Sequence, residues 1–407
     1  MEIRALRAGD DLAAQLDLSE RAFGVKNASE RESWRGFMDI AISTGAALGV
    51  FDDGRAVGGA VYYDMRQWWC GRAVPMAGVS GVKIAPEDRG RGIGRRMMTM
   101  LLDDIAAHGY PLAVLYPATM PLYRSLGWEL AGGRYLAEVP SRSLWSLLPP
   151  DTAIADKAVA DASAGRPGRP ELRRAGPADA QAVIDVIGRV HEALRDSGPV
   201  TWGADMTAIH LGEPDRYHYL CDDGFASYSW QDGSDKLFVR SVQGATAETV
   251  RGLWSVIASH GTMAESVRAW TDPSGPLWWL TAERDPDVRS RSMWMLRVVD
   301  AAAAIAARGF PAAVSMRATL IIDDQSRPAN SGRWLLTVTD GKGELTPAGT
   351  SAGHGLMLGA RGLAALYAGT PVATLRQAGL AGGAAGPAAD AALDAAFAAT
   401  PYILDAF

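Results

Sequence analysis

The residues best placed to do chemistry lie in VKIAPEDRGRGIGRRMMTMLL, Val82 to Leu102, where four arginines and three glycines separate two apolar stretches. Val82 and Ile84 alternate with Lys83 as a strand does, and Pro86 ends it. Downstream, Met98, Leu101, Leu102 and Ile105 fall at i, i+3, i+4 and i+7, the spacing of one buried helix face. A strand therefore enters a helix through an arginine- and glycine-rich turn. The first amides of a helix have no internal partners and its dipole is positive there, so the chemistry implied is anion binding, phosphate above all. Gly90, Gly92 and Gly94 let phosphate oxygens approach the backbone, while Arg89, Arg91, Arg95 and Arg96 supply charge. Two familiar phosphate loops do not fit. A Walker loop needs Gly-Lys-Ser/Thr, and a GxGxxG loop would put its third glycine at Arg95.

The elements that must hold this turn belong to a chain of 407 residues, enough for two or three domains. With 48% hydrophobic and 21% charged residues, the composition is that of a globular protein. A formal net charge of −6 argues against a general nucleic-acid binder, which leaves the basic turn a local feature. Cys70 and Cys221 are far apart and imply no disulfide framework. The six histidines follow no metal-binding pattern, so no metal is expected. No apolar segment reads as a leader or a membrane span, and the expected location is the cytoplasm.

A Pro/Gly/Ala-rich passage at about Leu147 to Arg174 marks a boundary, and beyond it the opening order of motifs returns. ELRRAGPADAQAVIDVI matches EIRALRAGDDLAAQLDL, YLCDDGFASYSW matches LGVFDDGRAVGGAVYY, and LWSVIASHG matches LLDDIAAHG. One α/β unit thus occurs twice. The second copy has QGATAETVRGLWSV where the first has APEDRGRGIGRRMM, so it keeps the scaffold without the anion site. From about Met293 a smaller α+β segment begins. AVSMRATLIID and RWLLTVTD read as hairpin strands, GLMLGARGLAALYAG and AALDAAFAATP as helices, and the apolar TPYILDAF as a docked tail.

RxxGxG at Arg89, Gly92 and Gly94, after a strand and before a helix, resembles the pyrophosphate-binding turn of the GNAT acetyltransferases, which hold acetyl-CoA. PLAVLYP then reads as the next parallel strand and MPLYRSLGWELAG as a short helix and a strand. The resemblance implies that the two strands splay apart around the pantetheine arm. The cofactor-binding set it implies is the strand residues Val82, Lys83 and Ile84, the turn from Arg89 through Gly90, Arg91, Gly92, Ile93 and Gly94 to Arg95, and Ala118 and Thr119 at the acetyl end.

The layout as a whole is similar to the Eis (enhanced intracellular survival) branch of that superfamily. VKIAPEDRGRGIGRRMM, LYPATMPLYRSLGW, ERDPDVRSRSMWMLRVVDAAAAIAARGFP and the final phenylalanine carry the likeness. It implies an α/β (α+β) fold of tandem GNAT-like domains, the second degenerate, plus a sterol-carrier-protein-like α+β domain, at 1–147, 148–292 and 293–407. It implies acetyl transfer from acetyl-CoA by direct attack of a primary amine of aminoglycoside, polyamine or lysine type, with Tyr123 as general acid toward the CoA sulfur and the Phe407 α-carboxylate as general base. It offers Phe23 and Trp34 as acceptor-binding aromatics, but Val25 and Lys26 follow where an acid would help bind a polycation. A homohexamer is implied, with a small-molecule or peptide amine substrate and no nucleic-acid or membrane partner. A non-catalytic CoA-sensing or apolar-ligand-binding protein is the competing reading.

Overall fold

Strand β1 (Glu2–Ala5) leads to α1 (Leu12–Phe23), whose start is capped by the Asp11 carboxylate, and to α2 (Ala28–Ser43), held by a reciprocal Asn27–Glu30 capping box. Strands β2 (Ala47–Asp52) and β3 (Arg55–Trp69) form the hairpin expected of Asp-Asp-Gly, with Asp53 and Gly54 at positive φ. Then come β4 (Arg72–Ile84), α3 (Ile93–Ala107), β5 (Leu112–Leu115), α4 (Met120–Arg124) and β6 (Glu129–Pro140). The second copy runs β7 (Arg173–Arg174), α5 (Ala180–Leu194), β8 (Val200–Trp202), α6 (Ala204–Leu211), β9 (Arg216–Cys221), β10 (Gly224–Trp230), β11 (Lys236–Gly244), α7 (Ala247–Ala258) and β12 (Ser266–Thr271). After α8 (Leu277–Leu280) and β13 (Asp287–Val298), the third segment holds α9 (Ala301–Ala307), β14 (Met316–Asp323), β15 (Gly332–Thr339), β16 (Lys342–Pro347), β17 (Leu356–Gly359), α10 (Ala360–Tyr367), α11 (Val372–Gln377), β18 (Ala381–Gly382) and α12 (Pro387–Phe397). This computed structural model describes residues 1–148, 170–231, 235–281, 287–349, 354–383 and 386–407, so most of the Pro/Gly/Ala-rich passage lies outside the described residues.

By contact the chain divides into two units. The first is Met1–Gly132, Met293–Pro401 and Phe407, and the second is Gly133–Ser292 with Tyr402–Ala406. In the first unit β1-β2-β3-β4-β5 lie side by side, β4 and β5 parallel, and the Met295–Val298 part of β13 closes the sheet antiparallel to β5. In the second, β7-β9-β10-β11-β12 repeat that order, β11 and β12 parallel, and the Tyr135–Pro140 part of β6 lies antiparallel to β12. The duplicated scaffold is thus present, each copy finished by a strand from a distant stretch of sequence. Helix α3 covers the first sheet through Ile93, Met97, Met98, Leu101, Leu102 and Ile105, all buried, as its apolar period requires.

The third segment adds a five-stranded sheet, β16-β15-β14-β17-β18, to the first unit. Here one expectation is corrected: Leu356–Gly359, read as the start of a helix, is a strand, and α10 begins at Ala360. Leu356 and Leu358 are buried and Met357 and Gly359 exposed, the period-2 burial of a pleated strand. A buried ion pair ties this segment to β13. Arg297, fully buried, donates to both oxygens of Asp324 at 2.7 and 2.8 Å, and Asn330 donates to the same carboxylate at 3.0 Å.

Removing one partner of such a pair strands the other charge in a low dielectric. Asp324→Ala is therefore expected to cost about 3–5 kcal/mol in denaturant unfolding; a loss below about 1 kcal/mol would mean the pair is not needed there.

Candidate active site

The arginine-glycine turn is built by backbone conformation. Gly90 and Gly92 have φ of +78° and +72°, and a side chain there would cost about 1–2 kcal/mol, although space for a Cβ exists. Gly92 is the N-cap of α3, no side chain caps the helix, and the first internal bond runs from the Arg96 amide to the Gly92 carbonyl at 3.3 Å. The amides of Ile93, Gly94 and Arg95 are left without intrahelical partners at the positive end of the dipole. Gly94 is an ordinary helical residue. Arg89 is exposed, Arg95 donates to the Ser125 carbonyl at 3.3 Å, and Arg91 is held by Asp52 at 2.8 Å and by Asp88. Arg91 therefore braces the turn through two carboxylates.

The corresponding helix start in the second copy is closed by its own groups. Thr246 accepts from the Thr249 amide at 3.2 Å, and the Asp223 carboxylate accepts from the hydroxyls of Thr249 and Thr246 at 2.5 and 3.1 Å. The Thr246 hydroxyl thus caps one amide of this helix start, and the Asp223 carboxylate lies against the two threonine hydroxyls beside it.

Strands β4 and β5 pair only from Met76–Gly78 against Leu112–Val114, whereas β4 continues to Ile84. Its last six residues have no ladder partner on that side among the described residues. On the other side, Gly81 and Val82 lie opposite the single Ala60 in a bulge. The divergence opens a cavity of about 280 Å³. Val82 and Lys83 line it from β4, Ala118 and Tyr123 from the chain after β5, Phe23 and Trp34 from the early helices, and Phe407 from the tail. The structure thus brings together both expected catalytic residues and both expected acceptor residues, while Ile84, Thr119 and residues 89–95 lie off this wall.

Tyr123 is 4% exposed and packs edge-on to Trp128 with centroids 6.3 Å apart. Its hydroxyl has no hydrogen-bond partner among the described residues, and burial pushes its pKa up to about 12. The Phe407 ring meets Tyr116 edge-on at 5.6 Å. Gly78 makes room for Met65 and for this ring, since a Cβ there would clash with the Met65 sulfur and come within 3.2 Å of the Phe407 ring. The residues just before it are seated in the second unit, where Ile403 is fully buried and Arg134 donates to the Leu404 carbonyl at 2.8 Å.

Lys83 departs from a simple strand reading, because its side chain lies inside the cavity wall, 5% exposed, with one long hydrogen bond of 3.5 Å to the Gly81 carbonyl. Burial, and then the neighbouring charge of Lys26, bring its pKa down to about 8. Lys26 and Lys83 are the charged side chains of the lining, which has no side-chain carboxylate among the described residues. Sequence reasoning missed Tyr63 and Tyr116. Tyr63 follows Val61 at the i+2 spacing of one strand face, which is a signal, though too common a one to single it out.

Residues 2–131 match the family model of a GNAT acetyltransferase domain, residues 201–298 match a second GNAT acetyltransferase model, and residues 301–404 match a sterol carrier protein domain. The crystal structure of a GCN5-related N-acetyltransferase from Kribbella flavida is 40% identical with a TM-score of 0.89, covering 100% of this chain and 98% of that one. The chain belongs to the GNAT acetyltransferases. An uncharacterized N-acetyltransferase of Streptomyces coelicolor is 30% identical over 86% of this chain and 85% of the relative. N-acetyltransferase Eis of Mycobacterium tuberculosis is 28% identical over 77% of this chain and 75% of its own. This is an Eis-like GNAT acyltransferase with tandem GNAT domains and a sterol-carrier-like third domain, and the non-catalytic reading falls away.

Because the folded state binds the Lys83 proton less tightly than the unfolded chain, its burial penalises stability below pH 8, and the penalty fades between pH 8 and 10.5. Lys83→Met is therefore expected to raise the thermal midpoint at pH 7, the gain shrinking as pH rises from 8 to 10.5. A gain constant with pH would attribute the effect to packing instead of charge.

Proposed function

We propose that this acyltransferase moves an acetyl group from acetyl-CoA to a primary amine bound in the first unit's cavity, by direct attack. The observation that carries the proposal is that Tyr123, Phe407 and the unpaired edge of β4 share one cavity, a short distance in sequence from the open helix start of α3. In this reading the amides of Ile93, Gly94 and Arg95 with Arg89 hold the pyrophosphate, the backbone of Val82–Ile84 holds the pantetheine, and Ala118 and Thr119 flank the acetyl end. The residues present fit such a cosubstrate through their unpaired amides and nearby cationic charge, and no metal is called for. Phe23 and Trp34 flank the acceptor.

The amine nitrogen bonds to the thioester carbon, the C–S bond breaks, and one amine proton ends on sulfur. A carboxylate with a pKa of about 3.5 cannot readily strip an ordinary ammonium near 10.4, a gap of roughly 9 kcal/mol. Lys26 and Lys83 ease this step, because their positive field favours the neutral amine. The Phe407 carboxylate then orients that amine, takes the proton once nitrogen has bonded and become more acidic, and passes it to the departing thiolate, the stronger base. Tyr123, near 12, stays protonated at neutral pH. Against a thiol near 8.5, full proton transfer would be uphill by about 5 kcal/mol, so Tyr123 acts as acid chiefly by hydrogen-bonding the sulfur as charge develops.

The same lysines bear on the acceptor. Two cations and no side-chain carboxylate in the lining disfavour aminoglycosides and polyamines, and favour an amine with a carboxylate close by. A homohexamer working in the cytoplasm, without nucleic-acid or membrane partners, completes this reading; no helix among the described residues is long and apolar enough to cross a membrane.

The test is thiol release from acetyl-CoA against aminoglycosides, polyamines, lysine peptides and amino acids. Amino acids should exceed the polycations at least about tenfold in kcat/KM, which is about 1.4 kcal/mol of discrimination. Tyr123→Phe should lower kcat by about 10²–10⁴-fold with acetyl-CoA binding retained. A preference for polycations would overturn the acceptor assignment, and undiminished turnover in Tyr123→Phe would remove that residue from the mechanism.

A further inference from the structure

The second unit has a cavity of its own, about 390 Å³, within the range of about 300–1,000 Å³ typical of small-molecule sites. It lies between helices α5 and α6 and the sheet of that copy, lined from α5 by Val183 and Ile187, from α6 by Thr207 and Leu211, and from β11 by Arg240. In the first copy the cavity of the active site is likewise lined by the early helices and β4, so the degenerate copy has kept a pocket in the matching layer while its helix start was sealed.

Its chemistry is different. Arg134, Arg216 and Arg240 all reach its wall, against the single side-chain carboxylate of Asp405. Arg216 is paired with Glu213 at 2.6 Å and lies 3.4 Å from the His210 Nδ1, yet its Nε is buried without a hydrogen-bond partner among the described residues. Arg240 forms no ion pair among the described residues, and its Nε is likewise buried and unpartnered. It is the extra residue of a bulge in the β10–β11 ladder, a device that turns a side chain away from regular alternation. His218, 4% exposed, lies on the same face of β9 as Arg216, and neither ring nitrogen has a partner among the described residues. Burial, followed by the charge of Arg216, brings its pKa down to about 4, and burial with Arg240 beside it brings Arg216 down to about 10. The buried Nε groups of Arg216 and Arg240 and the His218 ring are costly to leave without partners, and an anion would relieve the two arginines.

The remaining walls are aromatic. Trp270 lies under the Arg134 guanidinium at 3.7 Å, Phe238 under that of Arg240 at 5.3 Å, and Phe225 stacks on His218 at 6.0 Å. Beyond the faces these groups cover, the rings still line the cavity and give it apolar surface for a flat body, while the guanidiniums suit a carboxylate, which they can grip in a bidentate manner. We propose that this cavity is a second ligand site that binds an aromatic carboxylate, with Arg240 and Arg216 on the carboxylate and Trp270 and Phe238 on the ring.

The experiment is calorimetric titration of the full chain with phenylacetate, with phenylacetamide and inorganic phosphate as comparators. Phenylacetate should bind, the neutral amide should not, and phosphate should bind at least about tenfold more weakly for want of an apolar body. Arg240→Leu should weaken phenylacetate about tenfold or more, the effect of losing a hydrogen bond to a charged group. Arg240→Lys, which keeps the charge but not the planar fork, should weaken phenylacetate measurably yet less than Arg240→Leu, so that a folding failure of the first variant does not decide the matter. Lys83→Gln should leave the affinity unchanged, separating this cavity from the cationic active site. Absent phenylacetate binding, phosphate binding as tightly, equal binding by Arg240→Leu, or loss of binding in Lys83→Gln would each overturn the assignment.

Discussion

Parallel pairing between β4 and β5 stops after Gly78 and Val114, and the active-site cavity depends on that stop. Pro117 lacks an amide proton and cannot extend the ladder, while the bulge at Gly81 and Val82 turns β4 away. A strand edge inside a protein must find partners for its backbone groups, and here the missing partner is a strand. The gap is therefore a polar backbone edge in an apolar setting, suited to an extended amide-bearing chain. Gly78, at the point of divergence, leaves room for the Phe407 ring, and Tyr123 is buried at the other wall. The buried Arg297–Asp324 pair ties β13, the strand beside β5, to the third segment and keeps that side of the sheet fixed.

The two copies show how little separates an anion site from a closed scaffold. In the first, left-handed glycines expose the amides of α3 and no side chain caps them. In the second, Thr246 caps the Thr249 amide at 3.2 Å, and Asp223 holds the hydroxyls of Thr249 and Thr246 at 2.5 and 3.1 Å. Charge has moved as well: the first cavity is lined by lysines that disfavour ammonium, and the second by arginines around an apolar interior.

The turn from Arg89 to Gly94, the buried face of α3 and the helix bearing Tyr123 are legible in the sequence because each depends on near neighbours. The duplication and the hairpin turns at Asp53 and Gly54 are legible for the same reason. Lys83 is not, because an alternating apolar-charged stretch ordinarily turns its charge to water, and a bulge reverses the facing without a mark in the letters. The pairing of Arg91 with Asp52 has no mark in the letters, because the two come together only in the fold. The closing strands β13 and β6 come from distant sequence, and Leu356–Gly359 is too short an apolar run to separate strand from helix by period. Arg134, Arg216 and Arg240 share no spacing, so their convergence is visible only in three dimensions.

The most direct test of this account is amide hydrogen exchange with and without acetyl-CoA. Protection is expected in two stretches together, Val79 to Ile84 on the open edge of β4 and Ile93 to Arg95 at the start of α3, with no change at Thr246 to Thr249, where the second copy is sealed. Binding that protects only the helix start, or that protects the second copy instead, would contradict the claim that the diverging strands hold the cosubstrate.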